Sequence, residues 1–86
     1  MPRYFFDTDN GSTLIIDDVG LDLPDDAAAR QAGLDTLPDM ARDHAQDHDH
    51  RTFSVSVRDA SRHVIYTATL ALMGGWRNRG EKPQAR

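Results

Sequence analysis

The chain of 86 residues has no cysteine, which excludes disulfide bonds and thiolate metal sites. It also has no apolar run close to the roughly 20 residues that a membrane span needs. The N-terminus, MPRYFFDTD, becomes acidic at once and lacks the apolar core of a signal peptide. We therefore expect a cytoplasmic protein without a membrane segment. A domain of this size buries only about 60% of its unfolded surface, so dimerisation would help to stabilise it.

Motifs of known catalytic chemistry are missing as well. The chain contains no GxSxG, no P-loop, no GxGxxG and no HExxH. Ser54 and Ser56 alternate with apolar residues, as on the wet face of a strand, and Ser61 lies in a turn signal. His63 opens a strand after that turn, where a surface position is expected. These observations predict a protein that is not an enzyme, with no catalytic residues and no cofactor.

Charge is distributed unevenly. The net charge is −4, but the tail, residues 74–86, carries +3, which leaves −7 for the rest. The cations of the tail are Arg77, Arg79, Lys82 and Arg86. An acidic body disfavours nucleic-acid binding, because phosphate contacts need Lys and Arg. Trp76 beside these cations could nevertheless stack on a base. Nucleic-acid binding through the tail, as in an antitoxin-like accessory protein, is therefore an alternative to a disordered end.

The stretch 23–47 is the only one with a helical pattern. Asp25 is placed to act as the N-cap, after Pro24, which needs no backbone N–H before the helix begins. Apolar side chains then recur at spacings of three and four and share one face. They are Leu34, Leu37, Met40 and Ala41. This stretch is the element against which the strands can bury their apolar face.

Pro38 interrupts the helical pattern. A proline in a helix interior removes one hydrogen bond and costs roughly 3 kcal/mol. Two outcomes stay open: a helix kinked at Pro38, or two short helices, the second capped by Thr36. Gly33 weakens the helix further, by about 1 kcal/mol against alanine.

Four segments are predicted to be strands. They are residues 3–8, 13–17, 52–58 and 63–72, and residues 18–22 form a loop with one possible further bridge. Asn10-Gly11 between the first two is a strong hairpin signal, because both residue types tolerate positive φ. In the third segment Phe53, Val55 and Val57 alternate with polar residues, the pattern of a sheet with one covered face. A turn at 59–62 joins the last two.

The element order is β-β-α-β-β. The simplest architecture is an α+β domain over residues 1–73, with an antiparallel sheet of about four strands and the helix on one face. Residues 74–86 are expected to be a disordered basic tail. One helix leaves sheet edges open, and an edge strand can pair with another copy. We therefore expect a homodimer, with an unknown protein as a further possible partner.

Two polar clusters are candidate sites. His44 and His48 lie four residues apart, a spacing that can chelate a metal if helical, with Asp47 or His50 as a third ligand. The simpler interpretation is a solvated helix end, so no metal ligand is predicted, and a metal-responsive protein stays an alternative. The second cluster could bind calcium or a basic peptide, but it lacks the EF-hand pattern, and turn and cap chemistry explains it. Its members are Asp17, Asp18, Asp22, Asp25 and Asp26.

The opening MPRYFF, the acidic turn ending at Gly11 and the Leu-Pro-Asp before the Ala-rich helix resemble a family of small bacterial proteins. The segment FSVSVRD at 53–59 and the following Val-Ile-Tyr continue the resemblance, which covers residues 1–72. The family is classed as a domain of unknown function (family six-eight-nine-four) and implies no activity, ligand or catalytic residue. Pro38 is atypical for its helix. A looser likeness to antitoxins with a partial RNase-H-like fold is analogy only.

Taken together, these patterns favour a non-catalytic protein-interaction or regulatory module. It would act as a homodimer and use a sheet edge or its acidic surface for contact. The feature behind this expectation is an open sheet carrying one helix and none of the motifs of known catalysis.

Overall fold

The computed structural model of the protein describes residues 1–44 and 49–79. Its elements, in chain order, are β1 (Arg3–Asp9), β2 (Leu14–Ile15), β3 (Leu21–Asp22), α1 (Asp26–His44), β4 (His50–Arg58) and β5 (Val64–Met73). The predicted α+β class is confirmed, and the predicted order β-β-α-β-β holds with one short strand, β3, added before α1. The bridge allowed for in the loop at 18–22 is present as β3.

The sheet is antiparallel throughout and has the order β2-β1-β4-β5, with β3 also paired to β1. Strand β1 is central: β4 lies along one side, and β2 and β3 occupy the two ends of the other. The longest pairing joins β4 to β5, from His50↔Met73 to Arg58↔Val64, with a bulge between Val57 and Arg58. The antiparallel sheet of about four strands is thus confirmed, and the two-residue β3 brings the number to five.

The second strand is shorter than predicted, since only Leu14 and Ile15 of residues 13–17 belong to it. The reason is Asp17. Its carboxylate accepts the backbone N–H of Phe6 at 3.0 Å, and its own N–H donates to the carboxylate of Asp7 at 3.0 Å. Side-chain acceptors here replace the backbone acceptors of a regular ladder. The hairpin before it is as predicted, with Gly11 at φ 91°.

Helix α1 begins as the sequence predicts and continues without interruption through Pro38. Asp25 caps it, its carboxylate accepting the N–H of Ala28 at 2.9 Å. Two separate helices therefore do not occur. Thr36 caps nothing, because its hydroxyl donates to the carbonyl of Ala32 inside the same helix at 3.1 Å. Within the described ranges, no helix has the length and apolar character needed to cross a membrane.

The core lies between α1 and the adjacent face of the sheet. Three side chains of β4, Phe53, Val55 and Val57, are fully buried there. From the helix, Ala29, Gly33 and Leu37 are buried, at the spacing of four residues that marks one face. Of the apolar face predicted for the helix, Leu37 is buried, while Leu34, Met40 and Ala41 are half-buried. Gly33 allows a close approach of the helix to the sheet, because a Cβ there would lie 3.0 Å from Val57 Cγ2.

Candidate functional site

Strand β5 forms one edge of the sheet, and in the described part of the chain it pairs with β4 alone. We call its outer side the free edge. All ten residues of Val64–Met73 are uncharged and none is a proline. Its side chains alternate regularly: Tyr66, Ala68, Leu70 and Leu72 lie half-buried under α1, and Thr67, Thr69 and Ala71 are exposed on the opposite face. A backbone edge of this length can accept a further strand.

Helix α1 lies over β4 and β5, and one of its flanks extends toward the free edge. Arg30 marks that flank, because its guanidinium carbon lies 5.4 Å from the ring centroid of Tyr66 on β5. At 3.6 residues per turn, the residues that share the flank with Arg30 are Ala27, Leu34, Pro38 and Ala41. We call these five residues the β5-side flank. Arg30 is its one charged member.

The sheet face opposite α1, the open face, carries hydroxyl side chains in register. Ser54 pairs with Thr69 and Ser56 with Thr67, the latter two with hydroxyl oxygens 3.4 Å apart. Ser61 lies in the turn, where its N–H donates to the carboxylate of Asp59 at 2.9 Å. His63 has a side chain that is 82% exposed and stands 3.9 Å from Asp59. The hydroxyls of these serines and the imidazole of His63 therefore lie on an exposed or flat surface.

A buried ion pair stands at one end of the open face. Arg58 donates to both carboxylate oxygens of Asp7, at 2.8 and 2.9 Å, and also to the carbonyl of Asp17 at 2.9 Å. The two side chains are only 10% and 12% exposed. The guanidinium carbon of Arg58 and that of Arg62 each lie 5.1 Å from the ring centroid of Phe5. The network ties β1 and β4 to the loop before β3.

These contacts shift the titration of the groups involved. The hydrogen bonds from Arg58 hold the pKa of Asp7 below its ordinary value, and they raise the pKa of Arg58. Burial alone would raise the pKa of Asp17, but the N–H groups of Phe6, Gly20 and Val19 outweigh it and lower that pKa. No local sequence pattern indicates this network, because Asp7 and Arg58 lie on strands separated by the whole helix.

Of the five carboxylates in the predicted cluster, Asp17 and Asp25 act in a turn and a cap as expected, and Asp18 is exposed. Asp17 accepts three backbone N–H groups, Asp22 pairs with Arg3 at 3.1 Å, and Asp25 is the N-cap. Asp26 accepts the hydroxyl of Tyr4 at 2.7 Å, a hydrogen bond that raises the pKa of Tyr4 to about 12. Each of these four carboxylates thus has a structural partner.

His44 and His50, from the histidine cluster predicted at 44–50, have different surroundings. His44, at the end of α1, stacks on Phe53 with ring centroids 6.0 Å apart, and its Nε2 lies 3.3 Å from the amide nitrogen of Asn10. His50 is exposed at the start of β4, and Asp47 and His48 lie outside the described residues. Across residues 1–44 and 49–79, no three His, Asp or Glu side chains come together as a metal site would require.

A known protein family matches most of this architecture. The family model of DUF6894, a domain of unknown function, matches residues 3–71. The chain belongs to this family. The match begins with β1 and ends two residues before the end of β5, so it takes in the helix and, apart from those two residues, the strands of the described structure. No curated protein matches the chain. No solved structure matches it either.

The DUF6894 domain also has an apolar stretch on its other edge that the sequence patterns did not single out as a surface. Leu14, Ile15, Ile16, Val19 and Leu21 are each more than half exposed. They lie in and around β2 and β3, which contribute two residues each to the ladder. Because Leu14 and Ile15 point to opposite faces of their strand, these side chains wrap around the edge instead of forming one flat patch.

A concave surface and the start of the tail lie at the end of the DUF6894 domain where β5 finishes. An open groove of about 550 Å³ runs between the Gly11 turn and the paired ends of β4 and β5, with Arg51 and His50 among its lining residues. After β5 the N–H of Gly74 donates to the carbonyl of Asp49 at 2.6 Å. Trp76 is 99% exposed. Arg77 and Arg79 follow it, and Lys82 and Arg86 lie outside the described residues.

Proposed function

We propose that this DUF6894 domain is a non-catalytic, cytoplasmic interaction module that works as a homodimer joined through the free edge of β5. The observation that carries the proposal is the ten-residue strand Val64–Met73, unpaired on its outer side in the described structure and without a charge. Edge strands of monomeric proteins are normally kept apart by charged side chains, prolines, bulges or short length. Strand β5 has a bulge only at its first residues.

The opposite edge of the sheet is less suited to the same contact. Strands β2 and β3 have two residues each, and the chain between them folds back so that Asp17 caps the neighbouring N–H groups. Short, interrupted strands offer few backbone groups to an incoming strand. Of the two edges, β5 therefore supports strand addition better.

Apolar burial would support the backbone pairing. Tyr66, Leu70 and Leu72 face α1 but are only half-buried in the single chain. A second copy along β5 would cover part of their remaining surface, and apolar area removed from water stabilises by about 25 cal/mol per Å². Small domains gain most from such association, because they bury a low fraction of their own surface.

The side chains of the open face support a role without catalysis. Catalytic groups are typically gathered in a concave pocket with perturbed titratable groups. Here Ser54, Ser56, Thr67 and Thr69 form a flat hydroxyl surface instead. The carboxyl of Asp7, whose pKa is lowered, is held by Arg58 in a buried ion pair. That pairing is what a structural role requires.

Sedimentation equilibrium tests the proposal. The parent chain should be dimeric at tens of micromolar. The double variant Thr67→Lys with Thr69→Lys should dissociate, because lysines placed opposite each other across two paired edges cost up to about 1 kcal/mol per pair, or roughly 30-fold in Kd for two pairs.

The matched control is Thr52→Lys with Ser54→Lys, which adds the same charge to the same face one strand further in. It should stay dimeric. A parent chain that is monomeric at this concentration, or equal effects of the two double variants, would refute an interface at β5.

A further inference from the structure

We propose that the basic tail of one copy docks on the β2–β3 side of the sheet of a second copy, with Trp76 as its apolar anchor. We call this side the acidic apolar edge and define it as residues 14–22. The contact lies on the side of the sheet opposite the free edge of β5. It goes beyond the proposed function, because it does not require two β5 strands to pair.

The acidic apolar edge presents a row of large exposed side chains. Those that are more than half exposed are Leu14, Ile15, Ile16, Val19 and Leu21. Leu14 pairs with position 9 of β1 and Leu21 with position 4, so the row is about 17 Å long. Apolar surface of this kind marks sites of interaction. Because β2 and β3 are too short to accept a further strand, the row offers side-chain contacts to an extended segment.

Negative charge surrounds this row. Residues 4–29 contain seven of the fourteen acids of the chain and no Lys, Arg or His. Two of the seven are paired with arginines, Asp7 with Arg58 and Asp22 with Arg3. The five in excess of these pairs are Asp9, Asp17, Asp18, Asp25 and Asp26. The segment that complements this edge is therefore an apolar group flanked by cations.

The tail has that composition. Residues 74–86 contain four cations against one acid. Trp76, near the start of the tail, is 99% exposed and is the only tryptophan of the chain. Tryptophan is highly buried on average in folded proteins, and together with arginine it is enriched among the residues that anchor interfaces. The tail and the acidic apolar edge thus match in apolar character and are opposite in charge.

The geometry of the sheet places this contact between two copies. Met73 at the end of β5 pairs with His50, whereas Leu14 is level with Ser54, four residues further along β4 and three strands away from β5. At about 3.4 Å per residue and 4.8 Å per strand, Met73 and Leu14 are about 20 Å apart, and β3 is more distant. Three residues of extended chain span at most about 11 Å. Trp76 therefore cannot settle among the apolar side chains of its own edge.

Tryptophan fluorescence tests the contact, because Trp76 is the only source of indole emission. As the protein concentration is raised from low to high micromolar, the emission maximum should move to shorter wavelength. The constant for quenching by acrylamide should fall about twofold, since docking removes part of the indole from water. A shift that does not depend on concentration would mean that the indole docks within its own chain, and it would overturn the inference.

A pair of double variants locates the docking surface. Leu14→Lys with Val19→Lys removes two apolar contacts and adds charge that repels the tail, so the concentration-dependent shift should disappear. The matched control, Val64→Lys with Ile65→Lys, adds the same charge at two exposed apolar positions of β5 and should keep the shift. Equal loss in the two variants would refute docking on the acidic apolar edge. Circular dichroism and thermal unfolding establish that each variant is folded.

Mixing two variants tests transfer between chains. The Leu14→Lys, Val19→Lys chain retains the indole and lacks the edge, whereas the Trp76→Ala chain retains the edge and lacks the indole. The first chain alone should emit as an exposed indole, and addition of the second should restore the shift. High salt should then weaken binding about threefold, because exposed ion pairs are screened. If the mixture does not restore the shift, the contact between copies is wrong.

The readouts separate this inference from the proposed dimer at β5. If sedimentation shows a dimer whose indole stays exposed, the tail contact is overturned and the proposed function stands. A concentration-dependent shift that persists in Thr67→Lys with Thr69→Lys supports the tail contact without β5 pairing. An indole that shifts only when a single-stranded oligonucleotide is added overturns the inference and assigns the tail to nucleic acid.

Discussion

Replacing Gly33 by alanine should destabilise the domain, although alanine is the better helix former. Position 33 is in the middle of α1, where the change from glycine to alanine contributes about 1 kcal/mol in favour of the helix. The lack of space around position 33 opposes this gain. An ideal Cβ at Gly33 would lie 3.0 Å from Cγ2 of Val57, and 3.7 Å from Cγ1 of Val55.

The contact with Val57 decides the sign. Ordinary carbon–carbon contacts are about 3.5–4.0 Å, so the added Cβ and Val57 Cγ2 must move apart by about half an ångström. Val57 is fully buried in a central strand, and a β-branched side chain has little freedom about χ1. The helix must therefore move away from the sheet, and overpacking of this kind costs about 1–3 kcal/mol. The net loss is about 1 kcal/mol, or roughly 4–8 °C in Tm for a domain of this size.

Thermal and urea unfolding at one fixed protein concentration measure this effect, since association makes Tm depend on concentration. Gln31→Ala compared with Gln31→Gly gives the propensity difference at an exposed site of the same helix. In a Val57→Ala background the Cγ2 atom is gone, and Gly33→Ala should then stabilise by about 1 kcal/mol. If Gly33→Ala stabilises the parent chain by as much as the Gln31 pair differs, the close approach of α1 to β4 is wrong.

Two further predictions concern carboxylates. Folding lowers the pKa values of Asp7 and Asp17. Their contribution to the free energy of unfolding is therefore complete above the ordinary pKa of 3.8 and is lost as the pH falls through their lower pKa values in the folded protein. Tm should therefore drop steeply below about pH 4. The variant Asp7→Asn should have a lower Tm at pH 7 and a smaller decrease in Tm at acidic pH. If the variant kept the pH profile of the parent chain, the ion pair with Arg58 would be contradicted. At the helix start, Asp25→Ala should cost about 1 kcal/mol and Asp25→Asn much less, because asparagine also caps, and equal losses in urea unfolding would exclude the cap.

Local patterns in the sequence were sufficient to predict the helix and the longer strands. The alternation of Phe53, Val55 and Val57 predicts β4 because side-chain direction in a strand repeats every two residues. Asn10-Gly11 predicts the first hairpin through its tolerance of positive φ, and Asp25 predicts the helix start through its capping oxygen. Each of these signals acts over a few residues and needs no knowledge of the rest of the fold.

Contacts between distant segments were beyond such patterns. Asp17 ends β2 early by accepting the N–H of Phe6, and Arg58 is buried because β1 brings Asp7 beside it. Pro38 does not divide α1, because the buried stripe of Ala29, Gly33 and Leu37 packs on the sheet along the whole helix. Tertiary packing here outweighs a local preference against helix.

The sequence alone predicted the candidate interface only in general terms. An open sheet edge followed from the count of strands and one helix, but which edge stays free depends on the strand order β2-β1-β4-β5. The β5-side flank is defined by the contact between Arg30 and Tyr66, because that contact fixes the rotation of the helix on the sheet. A helical pattern alone gives the buried face and leaves its two sides equivalent.

Strand β1 is synthesised first, yet its inner partner is made late. Between Asp9, where β1 ends, and His50, where β4 begins, lie β2, β3 and the whole of α1. At about 5–20 residues per second, the ribosome needs several seconds to deliver β4 after β1. During that time Tyr4 and Phe6 have no Val57 to pack against. Strand β1 can pair with β2 and β3 in that interval, but its inner edge and its aromatic side chains stay exposed to chaperones and proteases until β4 has emerged.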